Sequence, residues 1–387
     1  MRINKKVFLK TIIILVLFLV LNDKTILVSA DAVSDSVNEQ LNNLDLSALE
    51  NFFNSINTFN EIGFASYLNS ILNGDFVLDY GAFFSLIIKI IFDNVTTFMP
   101  TFISIIAISI FSAIIKQVRS SLITDSVAEI AFYVCACTIA VLLLGQLINI
   151  FTTAKIIIEN IAIFTEIMSP IILTLMLAVG GNVSATVYKP TVAFLSNGVI
   201  NVALYVLFPL IVLITVFSLA SNFSDMIKFN KFSDLVGGII KWIIGITATV
   251  FGSFLSIQGI TSACYDGISL KATKYAVSNS IPLIGGFIKD GFDLIIAGSV
   301  IIKHAVGLSC VIGLFFILLS PILSIATFSI TLKLASAIID SVADARLANF
   351  CTSITKSLGY VTAVLLLVGF MFFITVLLMV FSANAFL

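Results

Sequence analysis

Residues 98–115, 130–151, 191–219, 308–332 and 358–382 carry no charged side chain, and 239–260 carries one, Lys241. A helix rises about 1.5 Å per residue and the hydrocarbon layer of a bilayer is about 30 Å thick, so each run is long enough to cross it. That many apolar runs cannot be folded into a water-soluble core. Composition agrees: 59% of the 387 residues are hydrophobic and 11% are charged, with a mean hydropathy of +1.16. Soluble domains run at about half apolar and about a quarter charged. The chain reads as all-α, a polytopic helical membrane protein.

Two stretches are harder to place. The region 156–179 is apolar except for Glu159 and Glu166, and a carboxylate at the bilayer centre costs about 2.5–3.5 kcal/mol on insertion scales. It counts as a span only if both acids face protein or a polar cavity, so six or seven transmembrane helices are expected. Ahead of the first span, FFSLIIKIIF with Lys89 and Asp93 reads as an interfacial or re-entrant helix.

Arg2, Lys5, Lys6 and Lys10 precede the apolar run TIIILVLFLVL at 11–21, which is too short to span and shaped like the core of a secretory signal. Small residues place cleavage after Ala30 or Ala32. An uncleaved anchor is the alternative, and either one sends the following segment across the membrane. Residues 31–80 hold eight acids and no Lys or Arg. That composition lets a short segment be translocated, since cytoplasmic retention follows Lys and Arg. Leu46, Leu49, Phe52, Phe53, Ile56 and Phe59 recur at helical spacing, so amphipathic helices docked on the membrane body or a partner are expected there.

The organisation is thus a signal peptide at 1–30, an acidic extracytoplasmic helical segment at 31–80 and a multi-pass domain at 81–387. Loop charge hardly orients that domain, because Lys and Arg divide almost evenly between its two sides. Seven crossings would leave the C-terminus inside.

Several functions are disfavoured. A nucleic-acid partner needs a basic stripe, and only the extreme N-terminus offers one. A single histidine, His304, cannot build a multi-histidine metal site, and it reads as a helix-end or interfacial residue. Cys135, Cys137, Cys264, Cys310 and Cys351 lie in or beside apolar runs without a paired CxxC and read as small hydrophobes. Neither a nucleophile elbow nor a phosphate-binding loop is present. No enzyme activity and no cofactor are expected.

Polar character concentrates at 256–307, where Asp266, Lys271, Lys274, Lys289, Asp290, Asp293 and Lys303 stand among seven glycines. Such an island is either a set of broken, re-entrant helices lining a polar space or a surface loop with amphipathic helices. LVGGIIK at 235–241 and LIGGFIK at 283–289 echo one another, by repetition or by chance, and mark Gly237, Gly238, Gly285 and Gly286 as candidate helix breaks. Asp266, Lys271, Lys274, Asp290, Asp293 and Lys303 are the candidate functional residues.

With LSIQG at 255–259, Asp266-Gly267, Lys274-Tyr275, Ile281-Pro282 with Gly285, and Lys303 with Val306-Gly307, the chain resembles the stage III sporulation protein AE family. The resemblance implies a role in endospore formation, in the mother-cell membrane that surrounds the forespore. It implies membership of a channel-like, feeding-tube complex with secretion-system-like parts that supports late forespore gene expression. Partners would be the other proteins of the same sporulation operon, including its ATPase and ring-forming members, besides membrane lipid. On that reading the island lines a path or meets the ATPase. An autonomous transporter of a small solute is the competing class.

Overall fold

Inside hydrocarbon every backbone N–H and C=O must be satisfied within the chain, which leaves helices as the form these apolar runs can take. The computed structural model describes residues 37, 41, 44–55, 64–72, 80–118, 125–223, 230–280 and 285–382. The signal region, with Ala30 and Ala32, lies outside the described residues. Two short helices, α1 (Ser47–Ser55) and α2 (Phe64–Leu72), precede α3 (Tyr80–Val118), α4 (Asp125–Ala178), α5 (Asn182–Ala193), α6 (Phe208–Phe223), α7 (Asn230–Ser280), α8 (Gly285–Val342) and α9 (Ala345–Phe381). Two π-helical stretches, Phe194–Val199 and Val202–Leu207, join α5 to α6. Six segments are long and apolar enough to cross a membrane, the α5–α6 run counting as one. The protein is an all-α membrane protein.

Several expected boundaries are not observed. The stretch 83–92 is no separate interfacial helix but continues through Pro100 into the first span as α3. Residues 130–151 and 156–179 are one helix, the 54-residue α4, about 80 Å long at 1.5 Å per residue. Glu159 and Glu166 are exposed on α4 and are not turned into the bundle. The two stretches count as one of six candidate spans, so no seventh is formed here. These acids sit on a helix that far exceeds the hydrocarbon thickness.

Gly237 and Gly238 do not break a helix either; both lie inside α7. The physical reason for Gly237 is close packing, since a methyl there would collide with the Tyr360 hydroxyl and meet Ile214 Cδ1 at 3.2 Å.

The helices run alternately up and down. The rings of Phe83 and Phe315 lie 6.0 Å apart and those of Phe98 and Phe328 4.7 Å apart, so α3 is parallel to α8. Arg346 stacks 4.1 Å from the Phe132 ring and Phe164 lies 5.4 Å from Phe372, which makes α4 parallel to α9. Helices α8 and α9 are antiparallel, since Ser336 Oγ donates to the Ala348 carbonyl at 2.9 Å while Lys303 reaches Ser382. Gln146, the most polar member of its run, donates to Thr101 Oγ1 at 3.3 Å and ties α4 to α3. Helix α9 forms the centre, with residues buried along its whole length.

The acidic segment is anchored to this body. Asp45 accepts the Ser47 hydroxyl and, at 3.1 Å, the Ser47 amide at the start of α1, which holds its carboxyl below the usual range. Phe52 and Phe53 then pack on Phe164 of α4, and the Phe53 ring fills the space above Gly313 of α8, where any side chain would collide with it. Gly313→Leu should expel Phe53 at a cost of about 1–3 kcal/mol. Limited proteolysis should then cut within α1 earlier than in the wild type, while the bundle helices stay protected.

Candidate functional site

A turn between two helices creates the site. Helix α4 ends at Ala178 and the chain turns at Gly180, whose φ of 88° is one that glycine adopts without strain. The Gly181 amide donates to the Met176 carbonyl at 2.8 Å and the Gly180 amide to Leu177 at 2.9 Å, the paired bonds of a Schellman ending. Helix α5 starts at once, and its N-cap residue, Gly181, has no side chain to accept the first free amides.

A distant residue supplies the acceptor. Asp266, on α7, is buried; one carboxylate oxygen accepts the Val183 amide at 2.8 Å and the other the Ser184 amide at 3.0 Å. A carboxylate at a helix N-terminus also meets the positive end of the helix dipole. Two turns further along, Thr191 of α5 contacts Gln258 of α7 through their polar atoms and continues the seam.

A second contact is the electrostatic mirror of the first. Lys303 of α8 is fully buried, and its Nζ donates to the Ser382 carbonyl at 2.7 Å, at the C-terminal, negative end of α9. The Asp266 carboxylate acts on the Lys303 ammonium through space. His304 follows with its ring 6.0 Å from Phe381. Ser299, one turn before Lys303, returns its hydroxyl to the Ile295 carbonyl at 2.9 Å.

Two of the six expected residues, Asp266 and Lys303, are therefore brought together. Lys271 and Lys274 lie on α7, and Asp290 and Asp293 on α8; their side chains fall outside the described residues. Gly285 and Gly286 stand at the start of α8, after α7 has ended at Ser280. Sequence reasoning missed Gly180-Gly181, Gln258 and the Ser382 carbonyl. The paired glycines closing an apolar run were a readable signal of a helix end; the partnership with Asp266, 83 residues away, was not.

Both Asp266 oxygens are occupied by backbone amides, so the carboxylate positions α5. Asp266→Ala should leave the Val183 and Ser184 amides, one part-buried and one buried, without an acceptor, at about 1–3 kcal/mol for a buried group, and lower the unfolding temperature of the purified protein in detergent. Ser184 Oγ is buried without a hydrogen bond, so Ser184→Ala should leave that temperature unchanged or raise it.

Comparison with known proteins fits this geometry. The family model described as stage III sporulation protein AE matches residues 62–383, a stretch containing all the long helices and both helix-end contacts. Over 284 residues the chain is 27% identical to Stage III sporulation protein AE of Bacillus subtilis (strain 168), a match covering 73% of this chain and 70% of that relative. No solved structure matches. Since the family model extends over most of the chain, from α2 to the carbonyl that receives Lys303, this membrane protein of sporulation belongs to the stage III sporulation protein AE family.

Proposed function

We propose that the protein is a component of the channel-like complex joining mother cell to engulfed forespore, seated in the mother-cell membrane. It acts there in assembly or as part of the conduit, without catalysis of its own. Its partners are the other proteins encoded with it in the sporulation operon, including the ATPase and the ring-forming members. The observation that carries this reading is the family match over 62–383, because it covers the complete six-span body and not one shared segment. The helix-end contacts support it further. Asp266 and Lys303 are engaged with backbone groups of α5 and α9, which suits a part held rigid for assembly better than a carrier that must alternate between two states.

Affinity purification of the tagged chain from sporulating cells tests the proposal. The expected result is recovery of the operon's ATPase and ring-forming members with the chain, and no solute flux when the chain alone is placed in liposomes. Flux by the chain alone, with no partner recovered, would make it an autonomous transporter.

A further inference from the structure

Helices α3 and α4 each turn a mixed pair of charges outward. Lys89 and Asp93 on α3, and Lys155 and Glu159 on α4, are all exposed. Each pair is four residues apart and so shares one helix face. An apolar side chain stands between the charges of each pair, Phe92 on α3 and Ile156 on α4, and both are exposed as well. Among the described residues none of the four charges takes part in an ion pair; Lys155 stands over the Phe208 ring at 5.7 Å.

Contacts of the same helices fix the height of these charges in the bundle. Gln146 of α4 holds Thr101 of α3, and the two helices run in opposite directions. Lys89 lies twelve residues from Thr101 and Glu159 thirteen from Gln146, while Asp93 lies eight away and Lys155 nine. Each cation is therefore level with the acid of the other helix to within about one residue, about 1.5 Å. The rings agree. Phe83 and Phe98, which bracket Lys89, rest on Phe315 and Phe328 of α8. Glu159 lies five residues from Phe164, whose ring faces Phe372 of α9. Phe315, Phe328 and Phe372 belong to the uncharged runs 308–332 and 358–382. The four charges thus stand beside the stretches of α8 and α9 suited to hydrocarbon.

Lipid is a poor neighbour for such rows. A lysine stem can carry its ammonium toward the interface, but the shorter Asp93 and Glu159 have less reach, and ionisable groups at that depth face protein or pair with one another. We propose that the outward rows of α3 and α4 form an interface between copies of this chain, Lys89 and Asp93 of one copy meeting Glu159 and Lys155 of the next. The match of heights selects a second copy over an unrelated protein. Copies inserted in one membrane in the same sense are related by rotation about its normal, and that operation keeps every residue at its height. It brings opposite charges of the two rows together only if Lys89 is level with Glu159 and Asp93 with Lys155, as they are. Polar contacts of this kind join transmembrane helices where burial of apolar surface supplies no drive. The inference concerns the chain alone and does not rest on the complex proposed above.

Disulfide trapping tests it. Two differently tagged copies, both without native cysteines, are expressed together in the absence of the other operon proteins, one carrying Phe92→Cys and the other Ile156→Cys. Oxidation of the membranes should give a disulfide-linked species bearing both tags. Lys89→Glu added to the Phe92→Cys copy should remove most of that species. Adding Glu159→Lys to the Ile156→Cys copy as well should restore it, because the pair is then reversed and not broken, and restoration also shows that the variants fold. No species with both tags at normal chain abundance overturns the interface. So does a species indifferent to Lys89→Glu, a loss that Glu159→Lys leaves unrestored, or a species formed only when the operon proteins are present. If the complex is wrong, the trapped species stands while operon proteins fail to co-purify. If the interface is wrong, the species fails while they still co-purify.

Discussion

A carboxylate and an ammonium buried among apolar helices must be solvated by the protein itself. Removing either from water costs several kcal/mol even after relaxation, and this bundle compensates both with helix ends. Asp266 faces the free amides that open α5, and Lys303 faces the carbonyl that closes α9. Each charge lies at the end of a dipole of opposite sign, and the two charges also attract one another. Four helices are thereby fixed at one level, so that the position of α5 depends on α7 and that of α8 on α9.

The rest of the architecture is consistent with that fixed end. The turn at Gly180-Gly181 can place bare amides inside the protein only because an acceptor waits on α7. Helix α9 can occupy the centre because glycines on α8 and α9 admit their neighbours: a side chain at Gly307 would strike Val380 and one at Gly369 would strike Leu318. Helix α7 continues beyond Asp266 to Ser280, and α8 begins at Gly285, ahead of Lys303.

Much of the body was legible in the sequence, because uncharged runs of membrane-crossing length leave few other folds. The runs at 130–151 and 308–332 fall within observed helices, and 358–382 does so up to Phe381. What misled was reading charge and glycine locally. Lys155, Glu159 and Glu166 interrupt the apolar pattern, yet all three are exposed on a continuous α4, so a charged stretch marked a change of surroundings and not a helix end. Glycine pairs look alike in sequence and differ in the structure: Gly180-Gly181 ends a helix, and Gly237-Gly238 sits inside one where Gly237 approaches Tyr360. Asp266 and Lys303 could be singled out as unusual in an apolar chain, but their partners are main-chain atoms of distant helices, which no residue type announces.

The central claim is that the two buried charges act as one device. A double-mutant cycle on Asp266→Asn and Lys303→Met, read as unfolding free energy in detergent, tests it most directly. The account predicts that the double variant is less destabilised than the sum of the single variants by about 0.5–3 kcal/mol, because either charge alone is left without its counterpart. Additivity to within about 0.3–0.5 kcal/mol would mean two independent helix caps and would contradict the account.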